Sequence, residues 1–426
     1  MSDNNSTDES AMTEHRDVVV IGAGQAGLAT SYYLSGTGCD HVVLERGEVG
    51  ERWRSERWDS FTLVTTNVMS RLPDFPYESD DPDGFLTRDE VVEYLEAFVD
   101  RFDPPLRTGV EVLAVRQQDA GYTVETTDTT YETTNVVVAT GPFQRPRIPE
   151  FGAELPSSIR QLHTSHYRNP DQLDPGGVVV VGSGQSGTQI AKELHESGRD
   201  VYLSVGKAAK APRRYRGKDI SSWMAAMGGF EAVVDSLDSP ADRFAPNPYV
   251  SGKDGGQEID LLELAADGMT LLGRAERVED GRLVVAGDLE ENLRNAYRFY
   301  AGMIDQIDDL IETEGIDAPD PEIVPRDPEE VSIESVREVD LEAANVRTVI
   351  WATGFQFDFD WVEPATFDEY GYPVHDRGVT DSPGLYFLGL PWLHTGGSSL
   401  LFGVGGDAEY VADHILDRLK QARPNT

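Results

Sequence analysis

Two strand–turn–helix segments with the same glycine spacing, 160 residues apart, constrain this chain more than any other feature in it. The first runs from the apolar Asp17-Val-Val-Val-Ile21 into Gly22-Ala-Gly24-Gln25-Ala26-Gly27 and a helical pattern through Leu34. The second runs from Val178-Val-Val-Val181 into Gly182-Ser-Gly184-Gln185-Ser186-Gly187 and a helical pattern through Leu194. In each, the first glycine permits a tight turn, the second lets backbone approach a pyrophosphate, and the third lets helix and strand pack closely. The helix that follows turns its free N–H groups and positive dipole end toward the phosphates. In the first segment the next strand, His41-Val-Val-Leu44, ends on Glu45, 18 residues past Gly27, where a carboxylate accepts from the ribose hydroxyls. A glycine-rich turn of purely structural purpose does not account for an acid at that distance.

The second segment differs at this point. The strand over Asp200–Val205 has no closing acid; Ser204 and Gly206 occupy its tip. Lys207, Lys210, Arg213, Arg214, Arg216 and Lys218 follow in a window without a single Asp or Glu. The chain as a whole has 76 acidic and 36 basic residues, a net charge of −40, so the local reversal needs a reason. One reading is recognition of the 2′-phosphate of NADP, which repels a carboxylate and attracts Arg or Lys. The other is a solvated loop, or a basic patch paired with the acidic surface. The remaining acids are strewn along the chain, which suggests a salt-rich cytoplasm where screening removes self-repulsion. Such a surface disfavours nucleic acid and acidic membranes as partners.

Val136-Val-Val-Ala-Thr140-Gly141 and Val349-Ile-Trp-Ala-Thr353-Gly354 are near copies, each a strand ending in Ala-Thr-Gly. They bracket the second glycine segment. The expected architecture is therefore α/β, with two dinucleotide-binding, Rossmann-like domains and the second inserted into the first. Residues 1–15 read as a disordered acidic tail and 16–150 as the first part of the first dinucleotide-binding domain. Residues 151–345 read as the second such domain with a helical insertion, and 346–426 as the rest of the first. Thr87-Arg-Asp-Glu90 is a capping box that opens a helix, and Leu261–Leu272 and Leu289–Ile311 also read as helical. No apolar run reaches the about 18 residues of a membrane span, and the polar start does not resemble a signal peptide, so a cytoplasmic location is expected. Cys39 is the only cysteine, which excludes a Cys-x-x-Cys redox pair. The 8 histidines show no metal-ligand spacing.

With these motifs in hand, the chain resembles the flavin-containing monooxygenases and their bacterial and archaeal relatives, often labelled flavoproteins involved in K+ transport. The resemblance spans Asp17 to Leu416. Besides the glycine and Ala-Thr-Gly motifs it includes Glu45-Arg46 with Gly50 and Trp53, Pro212-Arg-Arg-Tyr-Arg-Gly217, Gly384-Leu-Tyr-Phe-Leu-Gly-Leu-Pro-Trp392 and Gly403-Val-Gly-Gly-Asp407. It implies FAD in the first unit and NADP(H) in the second. It also implies a cycle in which NADPH reduces FAD, O2 adds to the flavin, and a flavin hydroperoxide passes one oxygen atom to a small-molecule N, S or ketone substrate. Asn67, after Thr66 and ahead of Leu72-Pro-Asp-Phe-Pro76, matches the family's Asn beside the flavin; a turn Asn is the plainer alternative. Gly406-Asp407 looks like the family's last FAD contact, at the start of a helical run over Ala408–Leu416.

One departure matters. The monooxygenase fingerprint is Phe-x-Gly, three residues, His, three residues, then Tyr or Phe. His163 and Tyr167 fit its second half, whereas Ser157 and Ile159 stand at the Phe and Gly positions. His163 is either part of the NADP-gating linker or a satisfied interdomain histidine. The electrons therefore have three destinations: oxygenation, a reductase reaction with another acceptor, or a redox sensor without turnover.

Overall fold

The computed structural model describes residues 13–422. Most of the expected acidic tail, residues 1–12, lies outside the described residues. The remainder departs from expectation: the first strand begins at Thr13, four residues before the apolar run, because Thr13–Arg16 pair in register with Thr130–Thr133. Polar residues at a strand start carry no periodicity, so pairing alone sets that boundary.

The first sheet orders its strands 106–107, 41–44, 13–21, 130–138, 121–126 and 112–118, with 385–387 added beside 130–138. The strands bearing the glycine turn are parallel and buried on both faces, so Val18–Val20, Val42–Leu44 and Val136–Val138 form unbroken apolar runs at the centre of the core. The Gln25–Gly36 helix covers one face and packs against the Val404–Ala422 helix. Thr87 caps the Arg88–Phe102 helix reciprocally with Glu90, and Val91, Val92, Tyr94, Leu95 and Phe98 face the core.

The second sheet is wholly parallel, in the order 160–163, 346–351, 177–181, 201–204 and 270–272. Val346–Trp351 thus belongs to it, pairing with strands on both sides, so the return to the first unit comes after Trp351 and not at residue 346. The expected helix over 261–272 is likewise shorter. It spans Leu261–Ala266, breaks at Gly268 with φ +113°, and gives way to the Thr270–Leu272 strand. The Leu289–Glu314 helix buries Leu293, Tyr297, Met303 and Ile307 against the second unit and its insertion.

The two linkers pair with each other: Arg145–Pro146 runs antiparallel to Phe355–Gln356. A second bridge joins the units where Gly396 and Gly397 donate to Ala232 and Phe230 carbonyls, at 3.0 and 2.9 Å. Among the described residues no helix is long and apolar enough to cross a membrane.

Candidate nucleotide and flavin site

The two glycine turns are built alike. Gly22 has φ +108°, and a Cβ on it would stand 2.7 Å from the Ala139 carbonyl oxygen; Gly182 has φ +106° and would stand 2.4 Å from that of Ala352. Each turn is thus seated on the alanine of an Ala-Thr-Gly motif, and no side chain fits. That explains why the tripeptide recurs: it ends the strand beside each glycine turn. Gly27 and Gly187 close the turns from the helix side, where a Cβ would lie 1.9 Å from the Gly22 or Gly182 oxygen. By contrast a Cβ on Gly24, Gly184, Gly141 or Gly354 meets nothing within 4 Å. These four positions border open space, as a cradle for a bulky phosphate ligand requires.

The helices that rise from the turns have glycine N-caps, no side-chain cap and no acid in their first turn. In a chain so rich in carboxylates, that leaves both amino ends free for an anion. Gln25 and Gln185, the first residue of each helix, reach across rather than inward. Gln25 Nε2 donates to the Ser399 carbonyl at 3.2 Å and its Oε1 accepts from Trp53 Nε1 at 3.3 Å. Gln185 Nε2 donates to the Pro248 carbonyl at 2.8 Å. Ala26 is buried beneath its turn and Ser186 is half-buried. Gln144 Nε2 donates to Thr140 Oγ1 and to the Gly141 carbonyl, both at 3.0 Å, and Thr353 Oγ1 donates to the Arg147 carbonyl.

The strand tips then differ. Glu45 accepts from the Ala23 amide at 2.8 Å and the Gly47 amide at 2.9 Å, which fixes its carboxylate against the first turn; Arg46 beside it is exposed. In the second unit Ser204 turns inward to the Gly273 carbonyl at 3.1 Å, and Ser183 Oγ accepts from the Gly206 amide at 2.9 Å. The basic cluster divides sharply. Lys210 is 3% exposed and paired with Glu258 and Asp260 at 2.8 and 2.6 Å. Arg213, expected at the 2′-phosphate, is also 3% exposed and paired with the buried Asp219, so it is removed from that role. Its Nη2 also donates to the Val64 carbonyl at 3.1 Å, tying the second unit to the first. Arg214 is exposed but donates to the Asp83 and Gly255 carbonyls, and Arg216 pairs with Asp308. Lys218 lies over the Trp223 ring. Lys207 is exposed, follows the strand tip directly, and has no hydrogen bond or ion pair among the described residues.

The first unit carries unsatisfied polar atoms. The C-terminal helix begins at Val404 and not at Ala408, because Gly405 and Gly406 adopt helical backbone that their low propensity conceals in the sequence. Asp407 therefore sits inside the first turn, 3% exposed. Arg377 Nε donates to its Oδ1 at 3.1 Å, and Oδ2 has no partner. Arg377, thirty residues away, had no signal in the sequence. Asn67 opens a short 3-10 turn; its Nδ2 donates to the Asp81 carbonyl at 2.9 Å, leaving Oδ1 buried and unpaired. The free atom is thus an acceptor. The Thr66 and Ser70 hydroxyls are unpaired too. A Cβ on Gly405 would stand 3.3 Å from Pro73, so this segment reaches the amino end of the Asp407 helix. Buried polar atoms are costly unless paired, so these orphans fit a site completed by a polar cofactor.

His163 is buried between the units. The Gly354 carbonyl can only accept, so Nε2–H donates to it at 2.9 Å, while Nδ1 accepts from the Ser165 amide at 3.3 Å. Burial lowers its pKa to about 4, against the opposing bond to Gly354. Its ring meets Phe355 edge-on at 4.7 Å. Tyr167 is buried and donates to Glu193 Oε2 at 2.7 Å.

A family model described as pyridine nucleotide-disulphide oxidoreductase matches residues 19–227. An uncharacterized CzcO-like oxidoreductase of Geobacillus kaustophilus is 35% identical, covering 94% of this chain and 98% of its own length. The indole-3-pyruvate monooxygenase YUCCA1 of Oryza sativa subsp. japonica is 27% identical, covering 72% of this chain and 79% of its own. A solved flavin-containing monooxygenase from Stenotrophomonas maltophilia shares the fold, with a TM-score of 0.64 at 20% identity over 95% of this chain and 99% of that one.

Proposed function

The chain belongs to the flavin-monooxygenase-like oxidoreductases, with the CzcO-like proteins, and on that premise we propose that it is an NADPH-dependent FAD monooxygenase acting on a small molecule with a nucleophilic nitrogen or sulfur, or a ketone. The observation that carries the reading is the pair of unequal cradles. One is closed by Glu45, the other by the unpaired Lys207.

Bound in the first cradle, a flavin supplies hydride acceptance from the nicotinamide and activation of dioxygen. The protein's part is binding and orientation. The free amides after Gly22 and Gly182 receive the two diphosphates. Glu45 accepts from a ribose, and Lys207 attracts the 2′-phosphate as a compact charge. Asp407, held through Oδ1 by Arg377, would accept through its free Oδ2 from a hydroxyl of the bound cofactor. Asn67, with Oδ1 free to accept, would line the flavin side of the site. His163 stays neutral at physiological pH and ties the second sheet to the returning linker at Gly354.

The half-matched fingerprint keeps one rival in play, a reductase that passes electrons to an acceptor other than oxygen. Cys39 stands alone, so disulfide chemistry within the chain is not the route. The test is anaerobic reduction by NADPH followed by admission of O2. A spectral intermediate before reoxidation supports the monooxygenase; immediate reoxidation with full release of peroxide supports the reductase. No reduction at all leaves a nucleotide-binding sensor. The dispersed acids suit a salt-rich cytoplasm, tested by a melting temperature that climbs with added KCl.

A further inference from the structure

Among the described residues Arg57 has no ion-pair partner. The aromatic residues around it fold into three walls: its guanidinium carbon stands 5.1 Å from the Trp53 ring centre, 5.7 Å from Phe61 and 5.1 Å from Phe143. Of its five N–H donors, one makes a hydrogen bond within the protein, Nη1 to the Glu56 carbonyl at 3.1 Å. The acids nearby are committed elsewhere. Glu56 holds Arg52 through both oxygens, at 3.1 and 2.9 Å, and Glu96 holds Arg54 at 2.7 Å. Burial draws the Arg57 pKa down to about 10, which leaves the side chain charged at neutral pH. Ring faces attract the cation but accept none of its N–H groups in the plane of the guanidinium. The side chain is half-buried, and its remaining donors are not among the sealed orphans, so a ligand can reach them.

The walls also give its location. Trp53 donates to Gln25 at the foot of the first glycine helix. Phe143 lies two residues beyond Gly141 on the outgoing linker and touches Phe355 on the returning one, 5.2 Å between rings. Phe61 packs against the cores of both units. Arg57 therefore stands in the crevice where the two cradles meet. We propose that Arg57 anchors the carboxylate of an apolar organic-acid substrate, whose hydrocarbon body lies against Trp53, Phe61 and Phe143. A guanidinium matches a carboxylate with two parallel hydrogen bonds, and aromatic walls beside it suit an apolar body better than a hydrated one. The nucleotide phosphates have receptors of their own in the helix amino ends and Lys207. The inference rests on the monooxygenase reading and deepens it by giving the substrate class.

Calorimetric titration of the FAD-loaded protein with phenylacetate, and separately with the uncharged phenylacetamide, tests it. Phenylacetate binds the wild type more tightly than the amide does. Arg57→Met weakens phenylacetate tenfold or more and the amide less than twofold, and Arg57→Lys, which keeps the charge without the planar fork, falls between. NADPH affinity stays the same in all three. Equal binding of acid and amide by the wild type overturns the proposal, as does an Arg57→Met protein that loses NADPH affinity while keeping phenylacetate; the latter would assign Arg57 to a nucleotide phosphate. A wild type that binds no flavin strikes the functional reading itself, whereas one that is reduced by NADPH yet ignores phenylacetate strikes only this inference.

Discussion

His163 donates from Nε2 to the carbonyl of Gly354 across 2.9 Å, fastening the outer strand of the second sheet to the point where the chain returns to the first unit. Burial lowers the His163 pKa from 6.5 to about 4. The neutral form is therefore the native one, and the unfolded chain binds the extra proton between those values. Stability from this group is complete above pH 6.5 and falls away as the pH drops toward 4, by up to about 3 kcal/mol. Melting curves from pH 7 to 4.5 should fall less steeply for His163→Gln than for the wild type. Parallel curves would remove His163 as the pH-sensitive tie. His375, lowered to about 4 by burial, acts in the same direction in both proteins and cancels in the comparison.

Lys207 and Arg214 are both exposed, but only Lys207 is without a partner among the described residues. Lys207→Ala should weaken NADPH about tenfold or more while leaving NADH within twofold, since only NADPH carries the 2′-phosphate. Arg214→Ala should change neither. Dissociation constants from fluorescence titration of each nucleotide check this.

Arg213 and Asp219 form a buried pair in which Arg213 Nε, Arg213 Nη1 and Asp219 Oδ2 lack partners. Removing one member of such a pair leaves an uncompensated charge, so Arg213→Met should cost about 3–5 kcal/mol in denaturant unfolding. A loss below 1 kcal/mol would show that the pair is well solvated. NADPH discrimination against NADH should be unchanged in whatever fraction stays folded, which separates this residue from Lys207.

Both nucleotide cradles were legible in the sequence because their determinants are local: strand, glycine turn and helix run without a break from Thr13 to Gly36 and from Gly177 to Glu196, and Glu45 follows at a fixed interval. What was not legible depends on residues distant along the chain. The Ala-Thr-Gly repeat was visible, but that Ala139 and Ala352 seat Gly22 and Gly182 emerged only from the packing. Arg213 and Lys207 look equivalent in a basic run; Asp219, Val64 and the fold around them decide which is interior. The strand start at Thr13 was set by its partner at Thr130, and the helix start at Val404 was hidden by glycines.

Asp407 and Arg377 should act together in flavin retention. Arg377→Ala frees the carboxylate that Arg377 now holds and leaves Asp407 buried without its cation. FAD content after purification, read from the ratio of flavin to protein absorbance, should fall for Arg377→Ala and for Asp407→Ala alike, with the double variant no worse than the single ones. Independent, additive losses would mean that Arg377 does not act through Asp407.

Two unequal cradles in one chain call for two different nucleotides, one of them a flavin that the other reduces. Stopped-flow mixing of the purified protein with NADPH, without oxygen, measures it most directly through the bleaching of bound flavin. Flavin should copurify with the protein, NADPH should bleach it, and NADH should do so at least tenfold less efficiently. A protein that carries flavin but is reduced equally well by both nucleotides, or by neither, would contradict it.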